Sequence, residues 1–378
     1  MLTPQTGRPT WAEVDLNRLG ENFRAVKSFC GDGILYMAVI KADAYGHGAI
    51  ECGRRLEAEG ADWFAVATLE EGVELRQAGI SKPILIFGGV WPGQAREFLN
   101  FDLTPMIFTL EQAEWLNDAA RAANRVANLH VKIDTGMNRV GFRPEQTADT
   151  AQYLASLHNT TVEGLMTHFA VADKLSDNEF TNRQIATFST AVETFLAAGH
   201  RPSLVDMANS PAAVAHPHSR AKLVRIGGIL FGVTEDVLPE GVERPVLNPV
   251  MSVHSKIAMV KTVPNGESIG YSRTYTTKRD SLIATVPIGY NDGYDRALSN
   301  KGEMLVRGKR VPVVGRVSMD WVTLDVTDVP EAKAGDAVVV LGSDGEAGVT
   351  AEDIARKIDT ISYEVTCGIS SRIQRIYK

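Results

Sequence analysis

Tyr36-Met-Ala-Val-Ile-Lys41-Ala-Asp-Ala-Tyr45-Gly-His-Gly48 is an apolar run that ends on one lysine and breaks at once into a glycine-punctuated turn. A short apolar run bounded in this way reads as a buried strand. An ammonium at the end of such a strand loses hydration, so it needs a partner or shifts its pKa downward, and a neutral amine condenses with carbonyls. A Schiff-base lysine is one reading of Lys41. A lysine that snorkels from a strand end is the other, and the local sequence weighs them evenly.

Outward from this stretch the same texture recurs. Strands are expected near Tyr36–Lys41, Trp63–Thr68, Pro83–Phe87, Leu103–Phe108, Leu129–Asp134, Val162–His168, Leu204–Met207 and Leu223–Ile226. Helical stretches such as Ile50–Glu59, Glu70–Ala78, Leu110–Ala123 and Asn182–Ala198 fill the gaps. Strands alternating with helices imply parallel pairing. Eight such units predict an α/β fold, a (β/α)8 TIM-like barrel, with a doubly wound open sheet as the alternative of equal periodicity. The barrel is favoured because Lys41, Lys132, Asp134, His168, Asn209, Ser210 and Arg225 sit at the C-terminal ends of many different strands, where barrel enzymes place their sites.

Past Gly232 the texture changes. Short strand-like pieces follow, Val250–Val263, Ser281–Pro287, Lys309–Val314, Trp321–Val326 and Ala337–Leu341, and only Thr350–Lys357 looks helical. A C-terminal all-β domain is expected, with Val233–Pro249 as the linker. The domain expectation is a barrel over residues 10–240 and a β domain over 241–378, with residues 1–9 packing on the latter.

With 378 residues and 44% hydrophobic content, each unit can bury its own core. The net charge of -7 gives no basic footprint, so nucleic acid and anionic membranes are not expected partners. Three cysteines, Cys30, Cys52 and Cys367, are too few and too scattered for a disulfide framework or a thiolate metal site, and they suit a reducing cytoplasm. Residues Met1 to Thr10 lack a charged start followed by an apolar core, and no run reaches membrane-spanning length, so a cytoplasmic protein is expected.

Several motifs carry chemistry. Tyr45 lies four residues beyond Lys41 and would reach a phosphate on a cofactor held there; alone, a half-buried loop aromatic is the plainer reading. Arg225-Ile-Gly227-Gly228 ends the last barrel strand, where barrels often bind phosphate through bare backbone N–H groups. Ser210, after strand seven, supplies a hydroxyl to the same region. Lys132 and Arg139 flank a tight turn; Arg139 suits a carboxylate or cofactor hydroxyl, with a salt bridge to Asp134 as the alternative. His168, ending strand six, is as readily a core histidine as a catalytic one. His216 and His218 are assigned to a surface loop, and no metal is expected. In the β domain, Tyr271 stands beside Gly270 in a turn, and Met319-Asp320 interrupts a strand-like run.

Together these residues resemble the pyridoxal-phosphate-dependent alanine racemase family along nearly the whole chain. Arg8-Pro-Thr-Trp-Ala-Glu-Val-Asp-Leu is similar to the family's start, and Ala38-Val-Ile-Lys41-Ala-Asp-Ala-Tyr45-Gly-His-Gly to its cofactor-lysine signature. The further matches keep the family's order: His168, Asn209-Ser210, Arg225, Tyr271, Met319-Asp320 and Tyr363. The resemblance implies that Lys41 carries the aldimine of pyridoxal 5'-phosphate and that Tyr271 is the opposing acid/base. It implies that Tyr45, Ser210, Gly227, Gly228 and Tyr363 hold the phosphate, that Arg225 faces the pyridine nitrogen with His168 behind it, and that Arg139 meets the phenolic oxygen. Arg139, Met319 and Asp320 would contact substrate. Lys132 corresponds to a lysine often carbamylated, and Asp173, Tyr290, Arg296 and Arg316 to a substrate corridor. Tyr271, Met319 and Asp320 serve the opposite subunit's site in the family, which implies a head-to-tail homodimer. Ile226, Gly228 and Ser272 depart from the family's usual residues, Ser272 replacing a common glycine.

The implied activity is interconversion of L- and D-alanine, supplying D-alanine for peptidoglycan precursors. Racemisation removes the Cα proton on one face and returns one on the other, so it needs a base on each side. Tyrosine and lysine have ordinary pKa values of ~10 and ~10.4, so both require assistance at neutral pH. Arg225 stays charged, so the ring nitrogen it faces should remain unprotonated. The alternatives are a racemase of serine or other small amino acids, a fold-related amino-acid decarboxylase using the same cofactor, and a non-enzymatic cofactor carrier.

Overall fold

In the computed structural model, which describes residues 7–378, the expected alternation closes on itself. After β1 (Trp11–Val14) come β2 (Leu35–Val39), β3 (Trp63–Val66), β4 (Ile84–Ile86), β5 (Thr104–Ile107), β6 (Ala127–Lys132), β7 (Thr160–Met166), β8 (Leu204–Asp206) and β9 (Leu223–Ile226). Each of β2 to β9 pairs in parallel with the next. β9 returns to β2 in the register Leu35↔Leu223 to Ala38↔Ile226, which makes a closed barrel and removes the open-sheet alternative.

Both faces of these strands are buried, as parallel sheets require, and the side chains divide by alternation. Met37, Val39, Trp63, Ala65, Leu85, Met106, Met166, Leu204 and Leu223 cluster together inside the barrel. Ala38, Phe64, Ile84, Ile107, Val131, Leu165 and Val224 pack with the outer helices, among them Leu16–Cys30, Ala49–Ala58, Leu69–Gln77, Leu110–Ala122 and Asn178–Ala197. The polar residues that continue the inward-facing set, Lys132, Asp206 and Arg225, are therefore buried in the barrel interior.

The C-terminal strands are β10 (Met251–Lys256), β11 (Met259–Val263), β12 (Ser268–Ile269), β13 (Tyr275–Thr276), β14 (Ser281–Val286), β15 (Glu303–Val306), β16 (Lys309–Pro312), β17 (Val322–Asp325), β18 (Ala337–Asp344), β19 (Ala347–Val349) and β20 (Gln374–Tyr377). One sheet runs β16-β15-β18-β10-β1-β20 with β19 on β18, a second runs β11-β14-β17, and β12 pairs with β13. Alternating burial in β10 and β17 leaves one face of each for a separate core that includes Val253, Val286, Leu305, Leu324 and Val340.

Four sequence expectations are corrected here. A barrel starting at residue 10 would include β1, yet β1 lies between β10 and β20 in the other sheet, because a closed barrel has no free edge to receive it. The expected strand Val250–Val263 is two strands in two sheets. A second C-terminal helix, Ser362–Gly368, is present; seven residues are too few for a helical period to be read. Its first N–H and hydroxyl donate to Asp236 at 2.7 and 2.6 Å, tying the interdomain segment to that helix. Of residues 1–9, expected to pack on the β domain, 1–6 lie outside the described residues, and Arg8 donates twice to buried Asp292 at 2.8 and 2.5 Å. His216, assigned to a surface loop, is buried, and its Nε2–H donates to the Ala172 carbonyl at 3.2 Å.

Candidate active site

Parallel strands deliver all their C-terminal ends to one mouth of the barrel. Lys41 follows β2 there, and the chain then does something rare. Ala42, Asp43 and Ala44 have φ of 53, 53 and 54° with ψ of 50, 48 and 49°, and Tyr45 has φ 54°, a full left-handed turn of L-residues. Such residues cost roughly 1–2 kcal/mol each, and this conformation normally occurs one residue at a time. It persists because four side chains hold it. Glu71 Oε1 accepts from the Ala42 N–H at 2.6 Å, and Asp43 Oδ1 from the Ala49 N–H at 2.7 Å. His47 Nδ1 meets the carbonyls of Ala44 and Tyr45 at 3.0 and 3.1 Å. Arg375, from β20, donates to the Gly46 carbonyl through Nε at 3.1 Å and Nη2 at 3.0 Å. A Cβ on Gly46 would stand 2.1 Å from the Thr366 carbonyl oxygen, which is why the turn must leave through glycine.

The turn brings Tyr45 back over the mouth. Its ring lies 5.3 Å from that of Tyr363 and 5.5 Å from that of Phe231. A Cβ on Gly227 would meet the Tyr45 hydroxyl at 2.5 Å, and one on Gly228 would meet the Tyr363 ring at 2.4 Å. The two glycines thus leave space that two phenols fill. Ser210 Oγ accepts from the Gly227 N–H at 3.0 Å, so its own proton is free to donate to a ligand. Burial pushes the pKa of both tyrosines up, keeping them as neutral hydrogen-bond donors. Lys41 is half-buried, and burial, followed by repulsion from Arg139, lowers its pKa while Glu71 opposes the shift.

Beneath the mouth lies a charged interior. Arg225, 3% exposed, forms an ion pair with Asp206 and donates through Nη2 to the carbonyls of Thr167 at 3.0 Å and Met207 at 3.3 Å and to His168 Nδ1 at 3.1 Å. A guanidinium only donates, so Nδ1 accepts and a neutral His168 carries its proton on Nε2. Burial and then Arg225 drive His168 down to about 2, so it is neutral at physiological pH. Lys132 donates to the Ile133 carbonyl at 2.9 Å, and burial, reinforced by Arg225, lowers it to about 8. Arg139 is exposed and does not pair with Asp134. That carboxylate instead accepts from the N–H groups of Gly136 and Asn138, both at 3.0 Å, and lies 4.0 Å from Arg143.

The remaining candidates do not join this cluster. Tyr271 is 71% exposed in the β domain, and among the described residues it makes no side-chain hydrogen bond or ring contact with the barrel. Met319 is also exposed in the C-terminal half of the chain, while Asp320 accepts from Arg372 at 2.9 Å. Tyr290 and Arg296 line a cavity of about 410 Å³ against Ile354 and Val365. Arg316 is half-buried with its Nε unpartnered among the described residues, and Asp173 is exposed. Glu71, Arg375 and Asp206 carry no role in the sequence reading. Asp206 had the same signal as its neighbours, a charged residue at a barrel strand's C-terminal end. Glu71 and Arg375 left none, because what they hold is distant backbone.

Comparison with known proteins bears on this geometry. The family model for the N-terminal domain of alanine racemase matches residues 14–235, and the one for its C-terminal domain matches residues 250–377. The alanine racemase of Geobacter sulfurreducens is 44% identical over 373 residues, spanning 98% of this chain and 97% of that one. That of Halothermothrix orenii is 43% identical over 371 residues, with 98% and 97% covered. Among solved structures, alanine racemase of Clostridium difficile 630 superposes with a TM-score of 0.91 at 39% identity, covering 98% of this chain and 96% of that one.

Proposed function

The chain belongs to the alanine racemase family and interconverts L- and D-alanine, and on that premise we propose which of its residues carry the reaction. The observation that carries the reading is the cradle of Gly227, Gly228, Tyr45, Tyr363 and Ser210 at the same barrel mouth as Lys41. Its chemistry fits pyridoxal 5'-phosphate. Three hydroxyl donors and backbone free of Cβ atoms suit a phosphate, a lysine of lowered pKa suits an aldehyde, and Arg225 suits a ring nitrogen as a donor that cannot take its proton. Bound there, the cofactor would supply the electron sink that acidifies the substrate's Cα–H.

Lys41 is the attachment point and, once exchanged for substrate, the base on one face. Its lowered pKa enlarges the neutral fraction able to accept a proton. The base on the other face is the partner subunit's Tyr271. A tyrosine exposed in one chain is consistent with a site completed by a second copy, and Met319 and Asp320 would reach the same shared site. A head-to-tail homodimer follows, with Asp173, Tyr290, Arg296 and Arg316 along the substrate corridor. His168 would connect Arg225 to Tyr271 through its Nε2–H side. Exposed Arg139, not tied to Asp134, is free to meet the cofactor's phenolic oxygen and the substrate carboxylate. Lys132, lowered to about 8, presents a neutral fraction near physiological pH; its amine would add to carbon dioxide, releasing a proton to solvent, and the resulting carbamate would hold Arg139.

The match of both family domains sets aside the decarboxylase and the single-domain carrier. No helix among the described residues is long and apolar enough to cross a membrane, which agrees with a cytoplasmic enzyme supplying D-alanine. The deciding experiment incubates the purified protein, supplemented with pyridoxal phosphate, with L-alanine, L-serine and a panel of other L-amino acids, and measures enantiomer formation. D-alanine should form fastest. Faster racemisation of serine would reassign the substrate, and no D-amino acid at all would end the reading.

A further inference from the structure

Asp206 closes β8 and is fully buried inside the barrel. One oxygen pairs with Arg225, and the other, Oδ2, has no hydrogen-bond partner among the described residues. Buried ion pairs are poor stabilisers, because desolvation cancels much of the attraction, and apolar residues of similar volume often replace them without loss. Apolar residues, Met37, Met166, Leu204 and Leu223, fill much of the barrel interior, and Asp206 stands directly across from Met166 on one side and Leu223 on the other, with Lys132 as the other nearby charge. Packing therefore does not explain a carboxylate here.

Its partner does. Arg225 donates to four acceptors, and three of them, two carbonyls and a neutral imidazole, carry no charge. Asp206 alone supplies a counter-charge. It fixes the Nη1 edge of the guanidinium while the other three hold Nη2, so the plane of the group has no remaining freedom. Burial pushes the Asp206 carboxyl up, and Arg225 pulls it back, with help from Lys132.

We propose that Asp206 is a positioning residue that orients Arg225 and cancels its charge, so that a neutral ion pair, not a bare cation, donates to the pyridine nitrogen. This rests on the cofactor reading above. In a water-poor interior an isolated cation would act on the ring at long range, whereas a pair acts as a short-range dipole. Asp206 thereby sets how strongly the ring draws electrons from the substrate carbon, without touching either.

The test compares the parent with Asp206→Asn and Asp206→Glu. Unfolding is measured without cofactor; the visible spectrum and dissociation constant are measured with pyridoxal phosphate, and kcat and KM with L-alanine. Asp206→Asn should displace the visible band, weaken cofactor binding about tenfold or more and lower kcat more than KM, because it leaves a buried cation unpaired. Asp206→Glu, which keeps the charge, should recover part of each loss. A folded Asp206→Asn protein with parental spectrum, affinity and kcat overturns the proposal, even if its unfolding midpoint falls. Should Asp206→Asn fail to fold, Asp206→Ser, which also removes the charge, takes its place: a displaced band with weakened binding supports the proposal, and parental values overturn it. A parent that shows no visible band with pyridoxal phosphate would end the cofactor reading and this proposal with it. That outcome is distinct from a parent that loads normally beside an indifferent Asp206→Asn.

Discussion

Gly228 shows what a single residue without a side chain can do: the Tyr363 ring occupies the volume its Cβ would need. Gly228→Ala should force that ring outward, cost about 1–3 kcal/mol of stability by overpacking, and weaken cofactor binding. Titration of pyridoxal phosphate into the apoprotein checks this, and parental affinity would show that the ring yields freely. Ser272 is the opposite case. It has φ 58° and ψ 12°, a left-handed conformation that favours glycine, and it stands where the resemblance puts one. Ser272→Gly should raise stability by up to about 1 kcal/mol. Denaturant midpoints would show it, and a lower midpoint would mean that the serine side chain repays the strain. Lys41, Tyr45 and the glycine pair were legible in the sequence, because a strand ending in a charge or in adjacent glycines is a local signal. Asp206 was equally local, but its meaning depends on Arg225.

At the scale of elements, the segment 41–45 combines a legible position with an illegible shape. Apart from Asp43, nothing in Ala-Asp-Ala-Tyr tolerates left-handed backbone readily, so its hand is imposed from outside. Glu71 belongs to a capping box with Thr68 and, at the same time, holds the Ala42 and Ala67 N–H groups at 2.6 and 2.7 Å. Glu71→Ala should cost roughly 1.5–3 kcal/mol per lost charged hydrogen bond. The loss should appear in hydrogen exchange as faster exchange confined to the segment around residues 41–49. Unchanged protection there would show that His47 and Arg375 suffice.

The whole molecule sets the remaining behaviour. His47 and His130 are 1% and 0% exposed, and burial lowers them from 6.5 to about 4 and about 3. Between pH 6.5 and 4 the unfolded chain binds protons that the folded chain refuses, so their contribution is complete above pH 6.5 and is lost as pH falls. With His168, lowered to about 2, three such groups give a slope of about 4 kcal/mol per pH unit near pH 5. Urea midpoints between pH 7 and 4.5 measure it, and a flat profile would show that the three rings protonate within the fold. The proposed sharing of sites between subunits gives a second expectation. Lys41→Ala and Tyr271→Phe proteins, each inactive, should regain up to about a quarter of parental activity when subunits exchange, since half the dimers are mixed and each has one intact site. No recovery despite proven exchange would place both bases in one chain.

The sequence alone determined the order of elements, the eightfold alternation, the texture change past Gly232 and the lysine motif, because periodicity and motif spacing are properties of neighbouring residues. Tertiary structure decided the rest. Barrel closure joins β2 to β9, β1 leaves the barrel for the distant sheet, Arg375 secures Gly46 across 329 positions, and Asp206 meets Arg225 across 19. Tyr271 stays exposed in the β domain, outside the cluster at the barrel mouth. Each of these depends on which distant groups share a buried, low-dielectric space. A chain read along its length has no period that reports it.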